Sequence, residues 1–288
     1  MRMTTKLREL LAAPGIVLGG GAHDGLSARI VEQVGYPLCV VTGAGSSMSR
    51  GLPDIGLVTM PEMVENARYI AEAVQIPVIV DADTGYGNAL NVMRTVREFE
   101  RAGVAGIHFE DQVWPKRCGH MFGKRLIPKE EMVGKIKAGL DARHDPDFVI
   151  IARCDALMVN RLEDTLERGE AYLEAGADMI FFEMRESMDE IKAMADRFRG
   201  RVPLHFNHSP SGMVPRLHVS EIERLGFKTA CFYVHALMAA CKTMFEVLSE
   251  IRQTGNSLAV WDRMVSFEEF WKLTDLEGIR EQEKKYGS

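Results

Sequence analysis

The chain has 288 residues, is 46% hydrophobic and 26% charged, and carries a formal net charge of −6 at pH 7. That is enough apolar material for one large core, and the negative balance leaves no basic face for a nucleic-acid backbone. No apolar run approaches the ~20 residues of a membrane span, so neither nucleic acid nor membrane is an expected partner.

Five cysteines (Cys39, Cys118, Cys154, Cys231, Cys241) are odd in number, widely spaced and without a CxxC. This argues against a disulfide framework or a zinc site, and for a reducing compartment. The polar start, Met1-Arg2-Met3-Thr4-Thr5-Lys6, has no hydrophobic stretch behind it like that of a signal peptide. The expected location is the cytoplasm, or an organelle matrix if a transit peptide has been removed.

Along the chain, short β-branched runs alternate with helical patterns of about 12 to 16 residues, the signature of consecutive βα units. The first strand is Ile16-Val17-Leu18-Gly19; the glycines that follow, Gly20-Gly21, lack the spacing of a dinucleotide fingerprint and read as a turn. The second, Leu38 to Thr42, runs into Thr42-Gly43-Ala44-Gly45. This segment is either a nest of bare N–H groups for a carboxylate or phosphate, or a turn needing positive φ. The connection from Gly43 to Leu57 is long enough for a lid.

The third strand, Val78-Ile79-Val80-Asp81, leads into Asp83, and period-two geometry puts Asp81 and Asp83 on one face. The bland alternative is that one of them caps the next helix. The fourth strand, Gly106 to Glu110, ends in a third carboxylate. Together Asp81, Asp83 and Glu110 are an all-oxygen set suited to Mg2+ or Mn2+ and not to zinc or copper.

Next comes the second long connection, Gln112 to Ile127, with Cys118 among Lys116, Arg117, His120 and Lys124. Such cations should lower the thiol pKa and make Cys118 an acid/base group; the alternative is a buried small hydrophobe. The fifth strand, Phe148 to Arg153, ends in a guanidinium that either neutralises an acidic mouth or grips a substrate carboxylate through two parallel hydrogen bonds. The sixth runs from Met179 to Glu183, the seventh from Pro203 to Asn207, and the eighth from Ala230 to Tyr233. Asn207-His208-Ser209-Pro210-Ser211 is either a turn whose hydroxyls cap the backbone or a second carboxylate pocket.

Eight βα units favour a closed (β/α)8 TIM barrel, one domain over residues 1–288. In a barrel, the strand-end residues Thr42, Asp81, Asp83, Glu110, Arg153, Glu183 and Asn207 converge at the C-terminal mouth. A helix near His235 to Thr254 follows, and then residues 255–288 form a helical tail. Its segment Ser266 to Lys285 carries an apolar stripe of Phe267, Phe270, Trp271, Leu273, Leu276 and Ile279. A stripe with nothing left to cover in a finished barrel is expected to pack on a neighbouring subunit.

Over nearly its whole length the chain resembles the isocitrate lyase and phosphoenolpyruvate mutase superfamily. The resemblance rests on Asp81-Ala82-Asp83-Thr84-Gly85-Tyr86-Gly87, Gly51-Leu52-Pro53-Asp54, Glu110-Asp111-Gln112 and, most specifically, Lys116-Arg117-Cys118-Gly119-His120. The last motif is similar to that of the carbon–carbon lyase branch, of the 2-methylisocitrate and 2,3-dimethylmalate lyase kind. The resemblance implies a (β/α)8 barrel with an exchanged C-terminal helix, usually in homotetramers. It places the magnesium and its surrounding carboxylates on Asp54, Asp81, Asp83 and Glu110, and the carboxylate-binding turn on Thr42, Gly43 and Ala44. The substrate arginine falls on Arg153, with further polar contacts from Glu183 and Asn207; the loop carrying Ser209 and Ser211 looks like the one that grips succinate in isocitrate lyases.

Three positions depart from the pattern: Val40 stands where many of these lyases have tyrosine, Ala236 to Ala240 lack an arginine found in methylisocitrate lyases, and Phe181 replaces a tryptophan of isocitrate lyases. The expected reaction is a retro-aldol cleavage of a 2-hydroxy di- or tricarboxylate to pyruvate or glyoxylate plus an acid such as succinate or propionate. Cys118 would be the proton donor, Lys116 or a metal-bound water steered by Glu110 the base, and His120 part of the same catalytic loop. An oxaloacetate hydrolase or decarboxylase, or a phosphonate C–P enzyme, is the alternative on this scaffold.

Overall fold

The computed structural model describes residues 1–287. The chain separates into two compact units, 1–235 and 236–288.

In the first unit, eight parallel strands close a barrel in sequence order: β1 Val17–Ala22, β2 Leu38–Val41, β3 Val78–Asp81, β4 Gly106–Glu110, β5 Val149–Cys154, β6 Met179–Phe182, β7 Leu204–Asn207 and β8 Thr229–Phe232. Nearly every strand residue is buried. That is the expected result for parallel strands covered on one side by helices and on the other by the barrel's own interior, and it is why each strand reads as an apolar run. The inner core is built from Leu38, Val40, Ile79, Val149, Ile151, Met179, Phe181 and Cys231. The register sets Glu110 beside Arg153, Arg153 beside Phe181, and Asp81 beside His108, so these polar residues meet at one level near the mouth.

Two features depart from the sequence reading. The glycine run is not a turn: Gly19, Gly20 and Gly21 lie inside β1, which pairs with β8 to close the barrel. A Cβ on Gly21 would fall 1.9 Å from the Tyr233 carbonyl oxygen, so the closing strands approach more nearly than any side chain allows. A helix, Met3–Ala12, also precedes the barrel. Its Leu7 packs into the inner core, Thr4 and Thr5 donate to Asp145 (2.7 Å) and Asp147 (2.6 Å), and Arg8 pairs with Asp178 at 2.8 Å.

The second unit comprises most of the helix His235–Thr254 and two short helices, Phe267–Leu273 and Leu276–Tyr286. The expected single amphipathic segment is broken at Asp275, whose φ of +56° lies in the left-handed region. Ser266 and Glu269 form a capping box at the first break, which fixes where that helix starts. Among the described residues of this unit only Leu237 and Val260 are buried. Among the described residues, no helix is long and apolar enough to cross a membrane.

Candidate active site

The third strand ends at Asp81, and Asp83 follows in a left-handed conformation with φ +48°. The strand alternation that put both carboxylates on one face therefore does not extend to Asp83; a local turn brings it in instead. Asp81 accepts hydrogen bonds from the N–H of Asp83 (3.0 Å, to Oδ1) and of Gly43 (3.3 Å, to Oδ2). Neither Asp81 nor Asp83 caps the helix Ala89–Arg101, which is capped by Asn88. The segment Gly43–Met48 is a short helix capped by Thr42, whose Oγ1 accepts from the Gly45 N–H at 3.1 Å. Neither Gly43 nor Gly45 takes positive φ, so the tight-turn alternative is set aside.

Glu110, fully buried at the end of β4, accepts from Gln112 Nε2 at 3.2 Å through Oε1. Its Oε2 has no hydrogen bond and lies 3.4 Å from Arg153 Nη1. Burial pushes this carboxyl well up, against the pull of Arg153 and Lys116. Burial also raises Asp83 to about 6, with Lys116 opposing and Asp81 and Asp54 adding to the rise.

Lys116 Nζ bonds both Asp54 Oδ1 and Asp83 Oδ1, the latter at 2.8 Å. Burial alone would depress the ammonium, but Asp83, Glu110, Asp54 and Asp81 outweigh it and hold the pKa well above the usual lysine value. In this arrangement Lys116 is a donor to Asp54 and Asp83, which weighs against its serving as the base.

Cys118 also reverses its expectation. Burial raises the thiol to about 12, Asp54 adding to the rise and the Cys118–His120 backbone contact and Lys116 only partly opposing it. The neighbouring cations are already committed: Lys116 is turned down onto Asp54 and Asp83, and Arg117 donates outward to the Phe122 carbonyl at 2.9 Å. Adjacency in sequence therefore gave the wrong sign. The loop itself is stitched. Gln112 accepts from the Arg117 N–H and donates to the Arg117 carbonyl, both at 2.9 Å, and the Val113 N–H donates to the Arg125 carbonyl at 2.8 Å.

Arg153 contacts three acids: Glu110, Asp155 (Nε to Oδ2, 3.0 Å) and Glu183 (Nη2 to Oε2, 2.9 Å). Its guanidinium lies over the Phe181 ring, 4.9 Å from the centroid. Beside it, His120 Nε2 is 2.8 Å from Ser209 Oγ and His120 Nδ1 is 3.4 Å from Ser211 Oγ, with Glu183 Oε1 3.9 Å away. The loop after β4 and the loop after β7 are thereby joined. Asn207 ends β7 in register with Cys231, and Ala44 lies in the short helix after β2.

Several residues at this mouth escaped the sequence reading. Asp155, two residues past Arg153, is completely buried and holds both Arg153 and Lys124. Beneath the mouth, Tyr233 Oη lies 2.9 Å from His205 Nε2 and 3.4 Å from His108 Nε2, and His205 Nδ1 is 2.9 Å from Thr229 Oγ1. Burial drives His108 down to about 4 and His205 well below its ordinary value. A signal did exist: His108 and His205 sit two residues before Glu110 and Asn207, hence on the same inward face of otherwise apolar strands.

Seven carboxylates and five cations are buried; with Asp111 and Arg168 paired to each other at 3.1 Å and Lys135 donating to the Thr84 carbonyl, Asp54, Asp81, Asp83, Glu110, Asp155 and Glu183 are left facing Lys116, Lys124 and Arg153. A site so unbalanced suits a cationic cofactor. Among the described residues, however, no three His, Cys, Asp or Glu side chains close round a single point.

The chain matches the family pattern of phosphoenolpyruvate phosphomutase over residues 7–252. It belongs to the phosphoenolpyruvate mutase and isocitrate lyase superfamily. Within that superfamily it is 46% identical over 289 residues to 2,3-dimethylmalate lyase of Eubacterium barkeri, covering 100% of this chain and 99% of the relative. It is 41% identical to 2-methylisocitrate lyase of Aeropyrum pernix, over 97% of this chain and 88% of that protein. Among solved structures, phosphonopyruvate hydrolase in complex with oxalate and Mg2+ superposes with a TM-score of 0.92 at 35% identity, covering 100% of both chains. The protein is a superfamily enzyme of lyase type.

Proposed function

We propose that the protein is a divalent-cation-dependent carbon–carbon lyase that cleaves a 2-hydroxy di- or tricarboxylate carrying a 2-methyl group, releasing pyruvate and a second carboxylic acid of the propionate or succinate kind. The observation that carries this reading is the position of the Cys118-Gly119-His120 backbone directly on the Arg153–Glu183 pair: a Cβ on Gly119 would fall 2.6 Å from Glu183 and 2.7 Å from Arg153. The loop carrying the thiol thus lies against the charged mouth, and Asp54, Lys116 and Glu183 all act on the Cys118 thiol. The substrate class comes from the relatives, which are named for 2,3-dimethylmalate and 2-methylisocitrate.

Asp81, Asp83 and Glu110 would hold Mg2+ (or Mn2+), with Asp54 nearby. No three such side chains converge among the described residues, so the set suits a cation that tolerates water as a ligand, as Mg2+ does. When bound, it supplies positive charge that favours the ionised 2-hydroxyl. The chain does the rest. Arg153, with Thr42, Gly43 and Ala44, fixes the carboxylate beside that hydroxyl. A water steered by Glu110, whose Oε2 lacks a hydrogen bond, would take the hydroxyl proton and pass it to solvent, and Lys116 would donate to the oxygen left behind. The C2–C3 bond breaks, the 2-oxo acid forms, and the electron pair passes to C3 and its carboxylate. Asn207, Ser209, Ser211 and His120 surround that carboxylate, with Glu183 orienting His120. The Cys118 thiol then gives C3 its proton. A thiol raised to about 12 is always loaded at neutral pH, which is what a donor in this step requires.

The second unit exposes Phe245 (77%), Trp261 (61%) and Phe267 (77%), a surface we read as covered in a homotetramer. The five free cysteines fit the cytoplasm. A second reading, hydrolysis of oxaloacetate or of a phosphonate C–P bond, draws on the likeness to phosphonopyruvate hydrolase.

The deciding experiment incubates the purified protein, with Mg2+ or with a chelator, with 2,3-dimethylmalate, 2-methylisocitrate, isocitrate, citramalate, oxaloacetate and phosphonopyruvate, and identifies products by mass spectrometry. Metal-dependent pyruvate from a hydroxy acid supports the lyase. Turnover of oxaloacetate or phosphonopyruvate alone puts the second reading first.

A further inference from the structure

We propose that Lys124 is a positioning residue that couples closure of the Cys118 loop to the orientation of Arg153. Lys124 lies on that loop and is buried, its Nζ donating at one end to the Gly119 carbonyl (2.7 Å) and at the other to Asp155 Oδ1 (2.8 Å). The first bond reads the position of the backbone next to Cys118. The second reads the counterion of Arg153.

Asp155 is the fixed member of this arrangement. Its N–H donates to Asp111 Oδ1 at 2.9 Å, and Asp111 Oδ2 is in turn held by the Tyr172 hydroxyl (2.7 Å) and by Arg168 (3.1 Å). Against this anchor, two cations share one oxygen: Arg153 Nη2 reaches Asp155 Oδ1 at 3.3 Å, while Lys124 is closer at 2.8 Å. One oxygen can accept from both, but the two cations repel each other, so a closer hold by one loosens the other.

With the loop down, Lys124 takes the larger share of Oδ1, and Arg153 Nη2 turns to Glu183 at 2.9 Å, on the mouth side. With the loop lifted, Lys124 leaves with it, Oδ1 falls to Arg153 alone, and the guanidinium is drawn down toward Asp155. Loop closure and presentation of the substrate arginine are then one event. Lys124 touches no reacting atom on this account; it acts through Gly119 and Asp155. Only the expected effect on turnover rests on the lyase reading above; the effect on the loop does not.

The test uses the full-length protein in a Cys241→Ser background, because Cys241 is exposed whereas Cys39, Cys154 and Cys231 are buried. Lys124→Met and Lys124→Arg are compared by the rate of Cys118 alkylation with iodoacetamide at one alkaline pH, by kcat and KM, and by melting temperature. In Lys124→Met, freeing the loop should speed alkylation about tenfold. Its kcat should fall by about 10²-fold. Lys124→Arg, which can reach both acceptors, should recover most of each.

Alkylation of Lys124→Met at the parent rate overturns the proposal, as does Lys124→Arg behaving like Lys124→Met with an unchanged melting temperature. If Lys124→Met does not fold, Lys124→Gln is read by the same criteria. Should the parent protein turn over no hydroxy acid while the alkylation difference holds, the lyase reading fails and the positioning role stands.

Discussion

The backbone N–H of Cys118 donates to the backbone carbonyl of Asp54 at 3.1 Å, which pins the loop after β4 to the loop after β2 across the barrel mouth. Asp54 also receives Lys116 through its side chain, so one residue of the first loop holds both the thiol's backbone and the ammonium two residues earlier. The thiol sits where it does because two connections, 62 residues apart at the Lys116–Asp54 pair, meet.

Cys118 is expected to hold its proton throughout the neutral range. In the Cys241→Ser background, its alkylation rate should climb about tenfold per pH unit well beyond the ordinary thiol range, without levelling near pH ~8.5. A plateau near neutrality would show an activated thiolate and contradict the raised value of about 12. Cys118→Ala should lower lyase turnover by about 10²- to 10⁴-fold with little change in melting temperature.

The charge imbalance at the mouth predicts stabilisation by a divalent cation. Added Mg2+ should raise the melting temperature, more so with oxalate present, and at a hundredfold excess over its dissociation constant the gain is about 2.7 kcal/mol. Asp81→Asn with Asp83→Asn should abolish the shift. A melting temperature indifferent to Mg2+ in the parent protein would remove the cation from the proposed reaction.

His205 makes the fold acid-sensitive. Burial holds its folded pKa well below 6.5, with His108 and Arg153 pushing the same way, whereas in the unfolded chain it titrates near 6.5. Below that pH the unfolded state binds a proton that the folded state refuses. Stability is therefore complete above pH ~6.5 and declines as the pH falls from there toward the folded value. Urea unfolding across this window should show a shallower decline in His205→Asn than in the parent; equal slopes would mean that the buried imidazole carries its proton.

The helical unit 236–288 leaves Phe267 and Trp271 exposed on one short helix, their rings 5.9 Å apart. Phe267→Glu combined with Trp271→Glu should reduce the mass of the assembly in light scattering. An unaltered tetramer, or a parent protein that is monomeric, would show that this face is not covered by another copy.

The strands were readable because parallel strands buried on both faces leave apolar runs, and the polar residues closing them, such as Glu110 and Arg153, stand out against that background. What local sequence could not supply was direction. Lys116 and Arg117 flank Cys118 in the chain, yet their charges are spent on Asp54, Asp83 and the Phe122 carbonyl, partners fixed only by the fold. Likewise Gly19 and Gly21 of β1 read as punctuation because what they make room for, Cys231 and the Tyr233 carbonyl, comes more than two hundred residues later. Asp155 was passed over for a similar cause: a lone acid after Arg153 gains meaning only when Asp111 and Lys124 arrive from the connection after β4.

Gly21 and Tyr233 meet at the seam where the first strand closes on the last, and the phenol of Tyr233 then reaches inward to His205 and His108. Wall and floor are therefore one inheritance. A sequence drifting under selection can exchange one aliphatic side chain for another almost anywhere around the hoop, but a single methyl group added at Gly21 would lift Tyr233 and tilt the imidazoles beneath Asp81. The loops above the mouth carry no such constraint from the seam.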